Sequence, residues 1–253
     1  MFPEERQQWL VARAREDGRL DVAEVSEELD VAPETIRRDL KVLEAHGLLH
    51  RVHGGAIPVD RLGFEGALAT RETTLHEEKV RLGKDAVRLL EDAESIYLDE
   101  GSTAQALVDA LPLDRPLTVV TNALHTAVAL GARPNVTLLI IGGRVRTHTL
   151  GAVDHWATRM LEDLVLDLAF IGTNGISVER GLTTPDPAVA AVKSAAVAAA
   201  RRRVLIADHT KFGIDSFCRF ARVQDLEAIV TDSGLDDDAV APYAALGIKV
   251  IRA

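Results

Sequence analysis

The chain has one cysteine, Cys218, so an intrachain disulfide is excluded and a reducing compartment fits. It has no run of about 18 apolar residues, the length a membrane-crossing helix needs. Its start, Met1-Phe-Pro-Glu-Glu-Arg6, is charged and unlike a signal peptide. The expectation is a cytoplasmic protein with no membrane partner. Positive charge is also scarce: 29 Lys and Arg stand against 39 Asp and Glu, a net charge of −10. That argues against a protein that coats nucleic acid non-specifically. The first 60 residues do not differ, with 8 basic and 13 acidic residues and a net −5. A DNA contact here needs a locally basic surface and two or more copies of the chain.

What is present is a globular composition, 47% hydrophobic and 27% charged, over 253 residues. That length holds one large domain, or a small one and a medium one. The stretch Pro33-Glu-Thr-Ile-Arg-Arg-Asp-Leu-Lys-Val-Leu-Glu-Ala-His46 organises the first part. Ile36, Leu40 and Leu43 recur at i, i+4 and i+7, which puts them on one stripe of a helix facing a core. Glu34, Arg38, Lys41 and Ala45 then fall on the far side, with Thr35 and Arg37 on its flanks. Pro33 suits a first helical position and Gly47 a terminator. Alone, this outward face reads as a solvated one with Arg–Asp and Lys–Glu neighbours sooner than as a DNA-reading surface.

The surroundings favour the DNA-reading surface. A helix is expected over 4–16, broken by Gly18, then a short strand or link at 19–22, a second helix over 22–29 and a three-residue turn at 30–32. Helix, short turn and helix form a helix-turn-helix layout. Leu48-Leu-His-Arg-Val-His-Gly-Gly-Ala56 alternates into a Gly-Gly pair, as a tight hairpin does. Its basic residues, with Arg51 foremost, would lie beside the third helix as a wing. His46, His50 and His53 invite a metal reading, but no acid or cysteine sits at a useful spacing, so no metal and no cofactor is expected.

Residues 58–75 mix Pro and Gly with few periodic apolars and read as a linker between domains at 1–57 and 76–253. A helical pattern follows from 75 to about 90, and Arg71 and Glu78-Lys79 at its start fit a solvated helix start as well as a functional role. Beyond it strands and helices alternate, which implies an α/β domain with a mostly parallel sheet. Strands are expected at 95–98, 117–120, 137–141, 166–171 and 204–207, with two late ones at 228–230 and 249–251 at an edge. The first five end in small or polar residues: Asp99-Glu-Gly-Ser-Thr103, Thr121-Asn122, Gly142-Gly-Arg144, Gly172-Thr-Asn-Gly175 and Asp208-His-Thr-Lys-Phe-Gly213. Ligands of such sheets bind outside the carboxyl ends of the strands. Gly101-Ser102-Thr103 opens a helix whose N–H groups and dipole favour an anion. Arg144, Lys193 and Lys211 supply positive charge, while Asp99, Asn122 and Asp208 supply acceptors for hydroxyls. Phosphate at one end and hydroxyls at the other describe a sugar phosphate.

The segment Ala23–Ala56, with Thr35-Ile-Arg-Arg-Asp-Leu40 and Arg51-Val-His-Gly-Gly-Ala56, resembles the signature of the DeoR family of transcription regulators. The resemblance implies an α+β winged helix-turn-helix domain and assigns DNA contact to Thr35, Arg37, Arg38, Lys41, Arg51 and His53. The second half is similar to the DeoR effector domain through Leu98-Asp-Glu-Gly-Ser-Thr103, Thr121-Asn122, Gly142-Gly143, Phe170-Ile-Gly-Thr-Asn-Gly-Ile176, Gly181-Leu-Thr-Thr184, Lys193 and Asp208-His-Thr-Lys-Phe-Gly213. That domain resembles in fold the ribose-5-phosphate isomerase and CoA-transferase-like proteins, as well as glucosamine-phosphate deaminase. The resemblance implies effector contact by Asp99, Gly101, Ser102, Thr103, Thr121, Asn122, Gly143, Arg144, Lys193, Asp208 and Lys211. Ala32 stands where the family has Ser, a lost cap that costs about 1 kcal/mol, and Val189 stands where the family has Glu.

A sugar-phosphate isomerase needs a positioned carboxylate base. The loop that carries acids in the isomerase relatives is here Gly172-Thr-Asn-Gly175, which leaves Asp99 and Asp208 as candidate bases. Cys218 has no base spaced to activate it and reads as packed. The expected function is therefore a non-catalytic DNA-binding regulator, a repressor of a carbohydrate-metabolism operon controlled by a phosphorylated sugar. Its expected partners are double-stranded operator DNA, the sugar phosphate and further copies of itself, as a homo-dimer or homo-tetramer. The competing readings are an isomerase-like enzyme with an appended winged-helix assembly domain and a protein-interaction module with a degenerate pocket.

Overall fold

Apolar residues at Leu10 and Ala14 make the inner face of helix α1 (Pro3–Asp17), and Gly18, at φ 78°, ends it by donating to Ala14 O at 2.8 Å. The computed structural model describes residues 3–45, 49–52, 54–58, 75–147 and 149–253, and the chain divides into two compact units, Met1–Thr70 and Arg71–Ala253. In the first unit a two-residue strand, β1 (Leu20–Asp21), leads into α2 (Val22–Glu28). The Asp21 carboxylate caps α2 by accepting from Ala23 N at 2.8 Å. The third helix, α3 (Pro33–Ala45), turns Ile36, Leu40 and Leu43 inward, each at most 3% exposed, as the i, i+4, i+7 spacing requires. They share a core with Leu10, Val25 and Leu49. Strands β2 (Leu49–Val52) and β3 (Gly55–Pro58) pair antiparallel as the wing, and β3 also pairs with β1. This is the expected α+β winged helix-turn-helix. Pro58 pairs with Leu49 inside the wing, and the rest of the expected linker except Leu75 lies outside the described residues, Arg71 included.

The second unit opens with α4 (His76–Val87) and alternates from there: β4 (Ser95–Leu98), α5 (Ser102–Ala110), β5 (Leu117–Thr121), α6 (Leu124–Leu130) and β6 (Val136–Ile140). A small hairpin, β7 (Arg144–Val145) and β8 (Ala152–Val153), precedes α7 (His155–Glu162) and β9 (Leu166–Ile171). Strands β10 (Gly175–Ser177) and β11 (Gly181–Thr184) lead to α8 (Pro187–Ala199) and β12 (Ala200–Ile206). Then come β13 (Cys218–Ala221), β14 (Ala228–Thr231), α9 (Asp237–Ala245) and β15 (Lys249–Arg252). Seven strands form one sheet in the order β15-β14-β12-β9-β4-β5-β6, every pair parallel. The two late strands stand at one edge, as expected, while β10, β11 and β13 make a separate antiparallel sheet.

Side chains of a strand alternate between faces, and both faces here are covered. Ile96, Leu98, Leu168, Phe170, Val204 and Ile206 pack in one core with Leu82 of α4 and Leu107 of α5. The intervening Tyr97, Ala169, Ile171 and Leu205 pack in the other with Leu161 of α7 and Val192 of α8. The result is an α/β/α sandwich whose strands are buried on both sides. No described helix is long and apolar enough to cross a membrane.

Candidate DNA-reading face and effector site

On α3 the buried stripe leaves Arg37, Arg38 and Lys41 exposed and Thr35 half-buried on its flank. The acid in the Arg37-Arg-Asp39 triplet does not join them. Asp39 is buried and accepts from Arg6 Nε at 2.5 Å and Gln7 Nε2 at 2.9 Å, which pins α1 to α3. The solvated-face pairing that is present on the helix is an exposed Arg37–Glu34 contact at 3.1 Å, an i,i+3 pair worth a few tenths of a kcal/mol. Arg51 on the wing is exposed, and its N–H donates to Glu44 of α3 at 2.9 Å, which fixes the wing beside the helix. Ala32 offers no side-chain cap, but its carbonyl accepts from Thr35 N at 2.8 Å. His53, His46 and the side chain of His50 lie outside the described residues.

In the second unit the chain runs from β4 outward through β5 to β6, then returns to the other side of β4 with β9. The switch point therefore lies between β4 and β9, where sheets of this kind open a crevice. Asp99, just beyond β4, is fully buried there. Its carboxylate accepts from Glu100 N at 2.9 Å, from Gly172 N at 2.8 Å and from Lys193 Nζ. Lys193 comes from α8, also donates to Gly172 O at 3.0 Å and lies 5.6 Å above the Phe220 ring. One ion pair thus joins the two strands at the switch point. Next to it Gly101, at φ 116°, turns the chain into α5, and no side chain caps that helix start. Ser102 and Thr103 are half-buried there.

Thr121 and Asn122 follow β5 and are buried. Thr121 Oγ1 accepts from Ala123 N at 3.1 Å. Asn122 accepts from the Tyr97 hydroxyl at 2.8 Å and donates to Ala152 O at 3.0 Å, so both ends of its amide are engaged inside the protein. Burial, and after it the charges of Asp99 and Glu100, push the Tyr97 phenol well above its ordinary range, which keeps it a donor.

At the end of β12 Asp208 is buried and accepts from Thr210 N at 3.0 Å. Burial pushes its carboxyl up, but Lys211, Thr210 and Lys79 outweigh that and hold it below the usual carboxylate range. The adjacent His209 is held at both ends: its N–H donates to Asp232 at 2.8 Å and its Nδ1 lies 2.7 Å from the same carboxylate. Lys79 corrects the expectation of a solvated helix start. It is 5% exposed, because α4 packs against the sheet and carries the ammonium charge toward Asp208. A buried lysine on an otherwise polar first turn has no sequence signal of its own.

Gly143 and Arg144 stand apart from this group. Gly143 has φ 152°, and a Cβ there would lie 2.3 Å from Val153 O, so glycine is required for the β7–β8 hairpin to close. Arg144 is exposed and bound to Asp154 at 2.9 Å, which raises its pKa. The buried cation of this loop is Arg146. Its side chain is 10% exposed and lies 3.3 Å from Asp186 and 3.9 Å from Glu100. Asp186 also caps α8 by accepting from Ala188 N at 2.7 Å, and the Glu100 carboxyl occupies the space a Gly151 side chain would take. In the Gly172–Gly175 loop Asn174 Oδ1 accepts from Thr184 Oγ1 at 2.9 Å, a structural bond with no carboxylate.

A winged helix-turn-helix joined in one chain to a parallel α/β unit, with polar groups gathered at a switch point, defines a DNA-binding regulator with a sensor domain. Known families match both parts: the DeoR-like helix-turn-helix domain over residues 6–61 and the DeoR C terminal sensor domain over residues 74–233. The HTH-type transcriptional regulator GlpR of Haloferax volcanii is 34% identical over 251 residues, spanning 99% of this chain and 98% of that one. GolR of Listeria innocua is 30% identical over 99% and 98%. The putative aga operon transcriptional repressor of Escherichia coli O157:H7 is 27% identical over 98% and 93%. The chain belongs to the DeoR family of helix-turn-helix transcriptional regulators. Among solved structures, ribose 5 phosphate isomerase A from Neisseria gonorrhoeae is similar with a TM-score of 0.41 and 17% identity over 56% of each chain.

Proposed function

We propose that this regulator is a cytoplasmic repressor that binds operator DNA as a homo-dimer or homo-tetramer and is controlled by a phosphorylated sugar. The supporting observation is an uncapped helix start at Gly101–Thr103 with Asp99–Lys193 beyond β4, and Asp208 with Lys211 and Lys79 beyond β12, at the carboxyl ends of the two strands that flank β9. A helix start receives phosphate oxygens through its N–H groups. The carboxylates of Asp99 and Asp208 and the hydroxyls of Ser102 and Thr103 then meet the sugar hydroxyls. Repression is carried over from the relative named an aga operon transcriptional repressor.

Sensing is favoured over catalysis because an isomerase base must be available to take a proton. Asp99 is committed to Lys193 and two backbone donors. Asp208 is held ionised, below the pKa that suits a base at neutral pH. On the DNA side, Arg37, Arg38 and Lys41 enter the major groove from α3, with Thr35 at the backbone, while Arg51 and His53 contact DNA from the wing.

The test is a pair of titrations on the full chain. Operator DNA from the promoter beside its own gene is bound by the parent and lost by the Arg37→Ala/Arg38→Ala variant, while calorimetric binding of a sugar phosphate is unchanged. Adding phosphorylated sugars to the parent complex weakens it, and the unphosphorylated sugars do not. A double variant that shifts DNA as well as the parent rejects the DNA face. Turnover of ribose 5-phosphate by the parent would replace sensing with the isomerase reading.

A further inference from the structure

The two edges of the seven-stranded sheet differ. The β15 edge begins with Lys249 and ends with Arg252, charges of the kind that blunt an edge against pairing. The β6 edge, Val136-Thr-Leu-Leu-Ile140, has no charge, proline or glycine, yet its outer side has no strand partner among the described residues. Leu139 is 38% and Ile140 43% exposed. The apolar surface continues from there. The Met160 sulfur accepts from Gly142 N at 3.3 Å, two residues beyond Ile140, and Met160 is itself 45% exposed. One turn earlier on the same stripe of α7 stands Trp156, 66% exposed, and Val145 of the adjoining hairpin is 39% exposed.

We propose that this β6 edge, with Trp156 and Met160 of α7, is the contact through which the sensor unit pairs with a second copy of this chain. The inference rests on the proposed assembly into pairs and names its surface. Three observations point to a second copy. First, those five side chains, with Ile140 on one face of the sheet and Leu139 on the other beside α7, expose on the order of 500 Å² of mostly apolar surface along the edge, more than half of the ~800 Å² that one partner gives to a stable interface. Second, an antiparallel edge contact about a two-fold axis is self-complementary, so identical five-residue strands supply each other's missing backbone partners. Third, two charge pairs beside this surface are already neutralised within one protomer, Arg144 with Asp154 and Arg159 with Glu162. These four groups therefore bring no like-charge repulsion to a contact between two copies. A pair also gives the acidic DNA-reading unit the second half-site contact that its charge deficit calls for.

The full chain is measured by light scattering after gel filtration, with amide exchange followed at Leu138 and Ile140, whose N–H groups point away from β5. The parent is expected to have the mass of two chains or a multiple, with those amides protected. Leu139→Lys and, separately, Trp156→Glu are expected to halve the mass, expose the amides and leave the circular dichroism spectrum unchanged. Because Trp156 lies on the surface, its replacement gives a folded variant even where the strand substitution does not. A parent that runs as a monomer overturns the assembly reading itself, and protected amides in that monomer mean another segment or protein covers the edge. A parent dimer that keeps its mass in the folded Trp156→Glu variant overturns this surface while assembly stands.

Discussion

Replacing Lys193 by methionine removes the ammonium from the switch point while keeping most of the side chain's bulk. Its partner Asp99 then holds a charge in a site where the two side chains are 5% and 1% exposed. Breaking a buried pair from one side costs about 3–5 kcal/mol, because the remaining charge is uncompensated. Asp99 keeps the N–H groups of Glu100 and Gly172, which places the loss near the lower end. Losing the Lys193 bond to Gly172 O adds about 1 kcal/mol. For a unit of this size each kcal/mol is worth about 2–4 °C, so a loss of about 4 kcal/mol lowers the melting temperature by roughly 8–16 °C. Calorimetric unfolding at neutral pH measures it. Two controls bind the reasoning to the ion pair. Asp99→Asn/Lys193→Met recovers most of the loss, and Lys193→Arg, which keeps a cation at the site, loses less than Lys193→Met. A single variant that melts within about 2 °C of the parent, or a double variant no better than the single, refutes the argument.

The other predictions are shorter. Gly55→Ala places a Cβ 1.8 Å from Leu20 O, a backbone atom that cannot swing aside, so the wing must detach from β1. A loss of about 1–3 kcal/mol in the DNA-binding unit is expected, read by thermal unfolding. Arg146→Ala removes the half-buried cation beside Glu100 and Asp186 and costs about 3 kcal/mol, whereas Arg144→Ala, on an exposed pair, destabilises far less, and chemical denaturation ranks them. The folded Asp208 carboxyl lies below its unfolded value of about 3.9, so its contribution is whole above about pH 4 and is lost as pH falls through the folded pKa. Melting curves at a series of acid pH values check this: Asp208→Asn loses stability at neutral pH and shows a shallower acid slope than the parent.

What was legible in the sequence follows from the range of the interactions involved. The stripe of Ile36, Leu40 and Leu43 and the alternation of Ile96, Tyr97 and Leu98 report local geometry, so periodicity shows them directly. The strand-end loops were legible too, because a parallel sheet brings all its carboxyl ends to one side whatever its strand order. The pairings were not. Asp39 finds Arg6 from 33 residues away, and Asp99 finds Lys193 from 94. Nothing in Arg144-Val-Arg146 says which arginine turns inward, and nothing around Lys79 marks it as buried. These long-range pairs change how the proposed ligand site works. Of the acids at the strand ends, Asp99 is bound to Lys193, Glu100 lies beside Arg146, Asp208 is held by lysines and Asp232 takes His209. Charge at these strand ends is therefore largely settled internally. An incoming phosphate gains most from the backbone donors at Gly101–Thr103, where no side chain has taken the place of a ligand. Discrimination among sugars then rests on how each hydroxyl fits carboxylates already fixed by their cations, a rigid template that rejects a misplaced hydroxyl by leaving it unpaired.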